Sequence, residues 1–145
     1  MMLCKLADFG LSRALQNAQE YYRPSQDDHV PFRWMSPETL VGGAATMASD
    51  VWAFGVVCYE VITGLVPYAG LDMPKVVALL KNEGRLALPA GTPPGLERLV
   101  AACWQTSPDV RPTAAALSPA LSAIATALSV PLADVNPALQ EETRI

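Results

Sequence analysis

The segment Val51 to Thr63 constrains this chain more than any other. It has the length of a helix, Gly64 stands ready to end it, and Ser49 or Asp50 is placed to cap its start. Trp52, Phe54, Val56, Val57, Tyr59, Val61 and Ile62 fall on every side of that helix. A helix that is apolar all round has to be enclosed all round. Something in the intact protein must surround it, and the chain by itself would expose part of this face and tend to associate or aggregate. Hydrophobic residues make up 51% of the 145, enough for one real core, while the length leaves no room for two.

The same composition excludes several classes. A disordered tail would be far less apolar. A formal net charge of −4, with only 10 Lys and Arg, argues against a nucleic-acid surface. Cys4, Cys58 and Cys103 are scattered, with no Cys-x-x-Cys pair, which suits a reduced compartment better than a disulfide framework or a zinc site. No basic and then apolar stretch follows Met1 in the manner of a secretory leader. Pro112 to Ala133 carries no charge and is long enough to cross a bilayer. Pro119 and Pro131 interrupt it, however, and alanine dominates it, so no membrane insertion is expected.

Around the apolar helix the chain reads as mainly α. Leu3 to Ala7 is a short strand running into Asp8-Phe9-Gly10, and a long aperiodic loop follows to Pro37, with Tyr21, Tyr22, Arg23 and His29 inside it. Pro37 to Leu40 forms a helical turn, and Gly42-Gly43 breaks the chain. Asp72 caps a helix that ends at Gly84, with Pro74 in its first turn. Leu96, Leu99, Val100, Cys103 and Trp104 then mark an amphipathic helix. A turn at Thr113 to Ala116 precedes a last helix, capped by Ser118 and starting at Pro119, because proline is costly inside a helix. The residues from Pro131 to Ile145 read as a tail.

Five motifs stand in one order along this framework: Asp8-Phe9-Gly10; Pro31-Phe32-Arg33-Trp34-Met35-Ser36-Pro37-Glu38; Ser49-Asp50-Val51-Trp52-Ala53-Phe54-Gly55; Gly64-Leu65-Val66-Pro67-Tyr68-Ala69-Gly70; and Cys103-Trp104 ahead of Arg111-Pro112. Asp-Phe-Gly alone is a weak signal, but the ordered set resembles the C-terminal lobe of eukaryotic protein kinases from about Leu3 to Leu128. The tyrosine-kinase group is the better match. Pro31 replaces the threonine usual in Ser/Thr kinases, and Tyr21-Tyr22-Arg23 is similar to the tandem phospho-acceptor tyrosines of many tyrosine-kinase activation loops. The Ser/Thr-specific tyrosine-kinase-like group shares the Arg-Trp-Met-x-Pro-Glu core and stays open as an alternative.

The resemblance implies roles. Phosphoryl transfer needs the triphosphate's charge neutralised and its oxygens held in line. Asp8 would hold Mg²⁺, with Phe9 packed beneath it and Gly10 completing the cofactor-binding turn. Phosphate on Tyr21 or Tyr22 would add charge able to order the loop against arginines. Pro31, Phe32, Arg33, Trp34 and Met35 would form a platform under the substrate peptide, with core packing the plainer reading of Trp34. Glu38 and Arg111 would be a buried ion pair tying the platform to the helical base, and Trp52 and Trp104 core residues. Asp50 would anchor the catalytic loop or simply cap its helix. His29 reads as a surface loop residue.

Only seven residues precede Asp8, and neither Gly-x-Gly-x-x-Gly nor His-Arg-Asp occurs. The glycine-rich loop, the strand lysine with its glutamate partner, and the catalytic base would all belong upstream. The expectation is therefore a C-lobe over residues 1–130 with a tail over 131–145, lacking the N-terminal lobe and catalytic loop. The intact protein would use ATP and Mg²⁺ on protein tyrosines, while this chain by itself would bind neither well and would be inactive. A non-catalytic binding or phospho-acceptor module is the alternative from a different class. A cytoplasmic location, or the cytoplasmic part of a receptor, follows from the family and the thiols.

Overall fold

The structure, a computed structural model, describes residues 31–128. Among these, every element is helical: a 3-10 turn at Phe32–Trp34, α1 (Pro37–Leu40), α2 (Met47–Thr63), α3 (Met73–Lys81), α4 (Pro94–Cys103), a second 3-10 turn at Pro108–Val110, and α5 (Ala114–Ala127). This is the helical C-lobe architecture expected from the motifs. No helix among the described residues is long and apolar enough to cross a membrane.

The central helix starts earlier than the sequence suggested. Its cap is Thr46, not Ser49 or Asp50. The Thr46 hydroxyl accepts the Ser49 amide at 3.4 Å, and the Ser49 hydroxyl accepts the Thr46 amide at 3.1 Å. Ser49 thus supplies the reciprocal half of a capping box, where a serine is easily mistaken for the cap itself. Asp50 lies one residue further in, where its negative charge still suits the positive end of the helix. Gly64 closes α2 with φ +68°, a conformation that glycine adopts without strain.

α3 begins as read, with the Asp72 carboxylate accepting the Lys75 amide at 3.1 Å, but it stops at Lys81 with Asn82 at the cap. Gly84 lies beyond the helix, its amide donating back to the Leu79 carbonyl at 2.9 Å. The last helix departs most from expectation. α5 is continuous from Ala114, capped by Thr113, and Pro119 sits inside it. Proline there forfeits the bond to the Ala115 carbonyl. Both residues face solvent, where water can take that carbonyl, so the helix runs on.

One cluster organises the core. Trp52, Val56 and Tyr59 of α2 meet Leu40, Tyr68, Val76, Leu80, Val100 and Trp104, while Val51, Cys103 and Leu117 form a smaller cluster on the α5 side. α2 approaches the end of α4 closely at Gly55. A Cβ there would stand 2.7 Å from the Trp104 indole nitrogen and 3.0 Å from Cys103 Cβ, so only a hydrogen fits. Enclosure is not complete, however. Val57 is 46% and Val61 80% exposed, so the outer side of α2 faces solvent, the partial exposure expected of this chain by itself.

Candidate functional site

The segment from Pro31 to Leu40 lies across the front of the helices, held by three polar ties. Its first turn forms because the Trp34 amide reaches the Pro31 carbonyl at 3.0 Å and the Met35 amide reaches that of Phe32 at 3.2 Å. Pro37 then opens α1 without loss, because an amide in a first helical turn has no intrahelical partner anyway. Phe32, Trp34 and Met35 are half-buried against the main core. Pro31, by contrast, is exposed, and the Arg33 side chain turns to the α2–α3 connection.

Arg33 makes the first tie. Its guanidinium donates to the carbonyls of Pro67 at 2.9 Å, Tyr68, and Leu71 at 3.0 Å, all in the turn between α2 and α3. Trp34 makes the second, its indole N–H donating to the Glu60 carboxylate on α2 at 2.6 Å. The third is the ion pair. The two terminal nitrogens of Arg111 each meet one Glu38 oxygen at 2.8 Å, a fork-to-fork geometry. Arg111 also donates to the carbonyls of Gln105 at 2.9 Å, Ala48 at 2.9 Å and Thr106 at 3.3 Å. Its side chain is fully enclosed, against 26% exposure for Glu38. Burial pushes the Glu38 carboxyl up, but the Arg111 and Ser36 hydrogen bonds and the Arg111 charge outweigh it and hold the group below its ordinary value.

Behind this pair lies Trp52, wholly buried, with the guanidinium of Arg111 and that of Arg85 each 5.0 Å from its ring. Arg85 donates to the carbonyl of Trp104 and to the Thr106 hydroxyl. The turn after α4 is thus gripped by two arginines that share one indole. Among the described residues, the indole nitrogens of Trp52 and Trp104 have no hydrogen-bond partner. Both rings are packing elements. Cys58 and Cys103 are free thiols, and burial pushes both up, Cys103 to about 11. Asp50 reaches solvent, yet partial burial of its carboxyl pushes it up, and no donor among the described residues meets it.

Asp8, Phe9, Gly10, Tyr21, Tyr22, His29 and the tail from Pro131 lie outside the described residues. Among the described residues no group of three or more His, Cys, Asp or Glu could hold a metal ion.

Sequence reading missed what four residues do: Thr46, Gly55, Glu60 and Arg85. Three left a signal. Thr46 is a preferred cap residue three positions before Ser49, Glu60 is the lone carboxylate in the apolar run from Val51 to Thr63, and a glycine such as Gly55 inside a buried helix marks a close approach. Arg85 left none.

The family model described as protein tyrosine and serine/threonine kinase matches residues 1–121. The chain is 44% identical over 125 residues to Protein sevenless of Drosophila melanogaster, which is 86% of this chain and 5% of that protein. It is 44% identical over 111 residues to the insulin receptor of Xenopus laevis, 75% of this chain and 8% of that one. Tyrosine-protein kinase transforming protein ros of UR2 avian sarcoma virus is 42% identical over 110 residues, 75% of this chain and 27% of that one. The chain thus spans between 5% and 27% of the length of these relatives.

Proposed function

We propose, for a chain that belongs to the protein tyrosine and serine/threonine kinase family, that residues 1–130 are the C-lobe portion of a protein tyrosine kinase. In this reading the complete catalytic unit transfers the γ-phosphate of ATP to tyrosine hydroxyls of a protein substrate, and it works on the cytoplasmic side. The observation that carries it is the platform from Pro31 to Met35, fixed by three independent ties in the sequence context Pro-x-Arg-Trp-Met-x-Pro-Glu. A surface that must present a peptide hydroxyl in line with a phosphate gains from being rigid before the peptide arrives.

The chain's own residues take these parts. Pro31, Phe32, Trp34 and Met35 support the peptide backbone. Glu38 and Arg111 hold that support to the helical base, over Trp52 and Trp104. Asp50 keeps an acceptor open toward a neighbouring loop. Asp8, followed by Phe9 and Gly10, would hold Mg²⁺, which supplies charge neutralisation for the phosphates, and Tyr21 and Tyr22 would accept regulatory phosphate. The 145-residue chain assayed by itself is expected to give no transfer, because neither a glycine-rich phosphate loop nor a His-Arg-Asp sequence occurs in it.

The test is a graft. Residues 1–128 replace the matching segment in the catalytic domain of the viral ros protein, and the chimera is assayed with ATP on tyrosine, serine and threonine peptides. Transfer to tyrosine that is lost in Asp8→Ala is the expected result. Transfer confined to serine or threonine would move the protein to the tyrosine-kinase-like group. A folded chimera without activity would favour a binding or phospho-acceptor module.

A further inference from the structure

Arg33 belongs to the platform by sequence, yet its charge is spent elsewhere. Three carbonyl oxygens within five residues, those of Pro67, Tyr68 and Leu71, converge on its one guanidinium. Carbonyl dipoles so close together repel one another unless a cation lies among them. The turn they belong to is strained as well. Tyr68 has φ +50°, in the left-handed region that a bulky aromatic residue rarely adopts, although its side chain is buried in the main core. Gly70, at φ +77°, takes the same region without cost. The turn's own backbone closes with a single bond, from the Leu71 amide to the Tyr68 carbonyl at 3.0 Å. The next residue, Asp72, is the cap of α3, whose carboxylate and carbonyl take the Lys75 and Val76 amides.

We infer that Arg33 is a positioning residue for the Pro67–Leu71 turn and the first turn of α3, and not part of the surface a peptide touches. Its guanidinium is the cation that holds the carbonyl cradle together and keeps Tyr68 in its strained conformation. The platform and the start of α3 consequently move as one unit. Displacing the Phe32–Trp34 turn withdraws the guanidinium, and the α2–α3 connection relaxes with it. The Glu38–Arg111 pair, anchored to the turn after α4 and to the first turn of α2, is not part of this unit. The inference concerns the fold of the 145-residue chain and stands whether or not that chain belongs to an active enzyme.

Amide hydrogen exchange on the full 145-residue chain tests it, because the Leu71, Lys75 and Val76 amides report on the turn and on the cap. In Arg33→Ala these three are expected to exchange about tenfold faster or more, the scale set by losing hydrogen bonds to a charged donor, while α4 and the middle of α2 keep their rates. Millimolar methylguanidinium is expected to slow the three amides again in Arg33→Ala and to leave the parent chain unchanged. Arg33→Lys, which keeps the charge without the fork, is expected to fall between. If Arg33→Ala does not fold, Arg33→Lys is read by itself, with selective acceleration at the three amides as the supporting result. Unchanged rates there, or the same acceleration throughout α2 and α4, would overturn the proposal, as would indifference of Arg33→Ala to methylguanidinium.

Discussion

The front of the molecule, Pro31 to Leu40, and its back, α5, are attached by different physics. α1 has four residues, two of them buried, and is bound by a bidentate ion pair whose arginine is wholly enclosed. α5 has fourteen residues and buries one, Leu117, with Leu121 and Ile124 half-covered beside it. Length is therefore no guide to how firmly an element is held. Directional polar ties fix the front in one register. Apolar contact holds the back and specifies little beyond proximity.

Breaking the front should cost most. Glu38→Gln strands the Arg111 charge in a buried site, and removing one partner of such a pair costs about 3–5 kcal/mol. Denaturant unfolding should show that loss, or the variant should fail to accumulate as folded protein. The same pair sets an acid dependence. Because the folded Glu38 carboxyl lies below its ordinary value of 4.5, its contribution is fully present above that value and disappears as pH falls through the lower, folded one. Melts taken between neutral pH and pH 3 should thus lose stability at the acid end, with Glu38→Gln losing less.

At the back, Leu117→Ala should cost roughly 2–3 kcal/mol, the lower part of the range for core leucines, because this site opens toward solvent and can partly collapse. Its exchange rates should rise in α5 and leave Leu40 and Val41 alone. Pro119→Ala should be the smallest effect and of opposite sign, a gain of about 1 kcal/mol as the Ala115 carbonyl regains its donor, offset in part by a freer unfolded chain. A loss instead would mean that the proline ring packs usefully against its neighbours.

Much of this contrast was legible in the residues themselves. The buried character of Trp52 and Trp104, the caps at Asp72 and Gly64 and the amphipathic α4 follow from periodicity and terminal chemistry, which are local. The start of α2 was misplaced because Thr46 and Ser49 share one capping box, and either could be the cap when read alone. α5 was cut at Pro119 because the cost of an internal proline depends on whether the orphaned carbonyl reaches water, which only the fold decides. Arg85 and Glu60 act across 19 and 26 residues of chain, on Trp104 and Trp34 respectively, and no local pattern carries such pairings. The motif order placed Glu38 with Arg111 by family likeness. The fork geometry and the enclosure of the arginine are facts of the folded molecule alone.

A double-mutant cycle across that pair tests most directly whether polar ties hold the front. Glu38→Gln, Arg111→Met and the double variant are unfolded in urea beside the parent chain. The double variant should be more stable than the sum of the single losses implies, by about 2 kcal/mol or more, because removing both charges leaves none stranded. Additivity of the two losses to within about 0.5 kcal/mol would contradict it and return the hold on Pro31 to Leu40 to apolar packing.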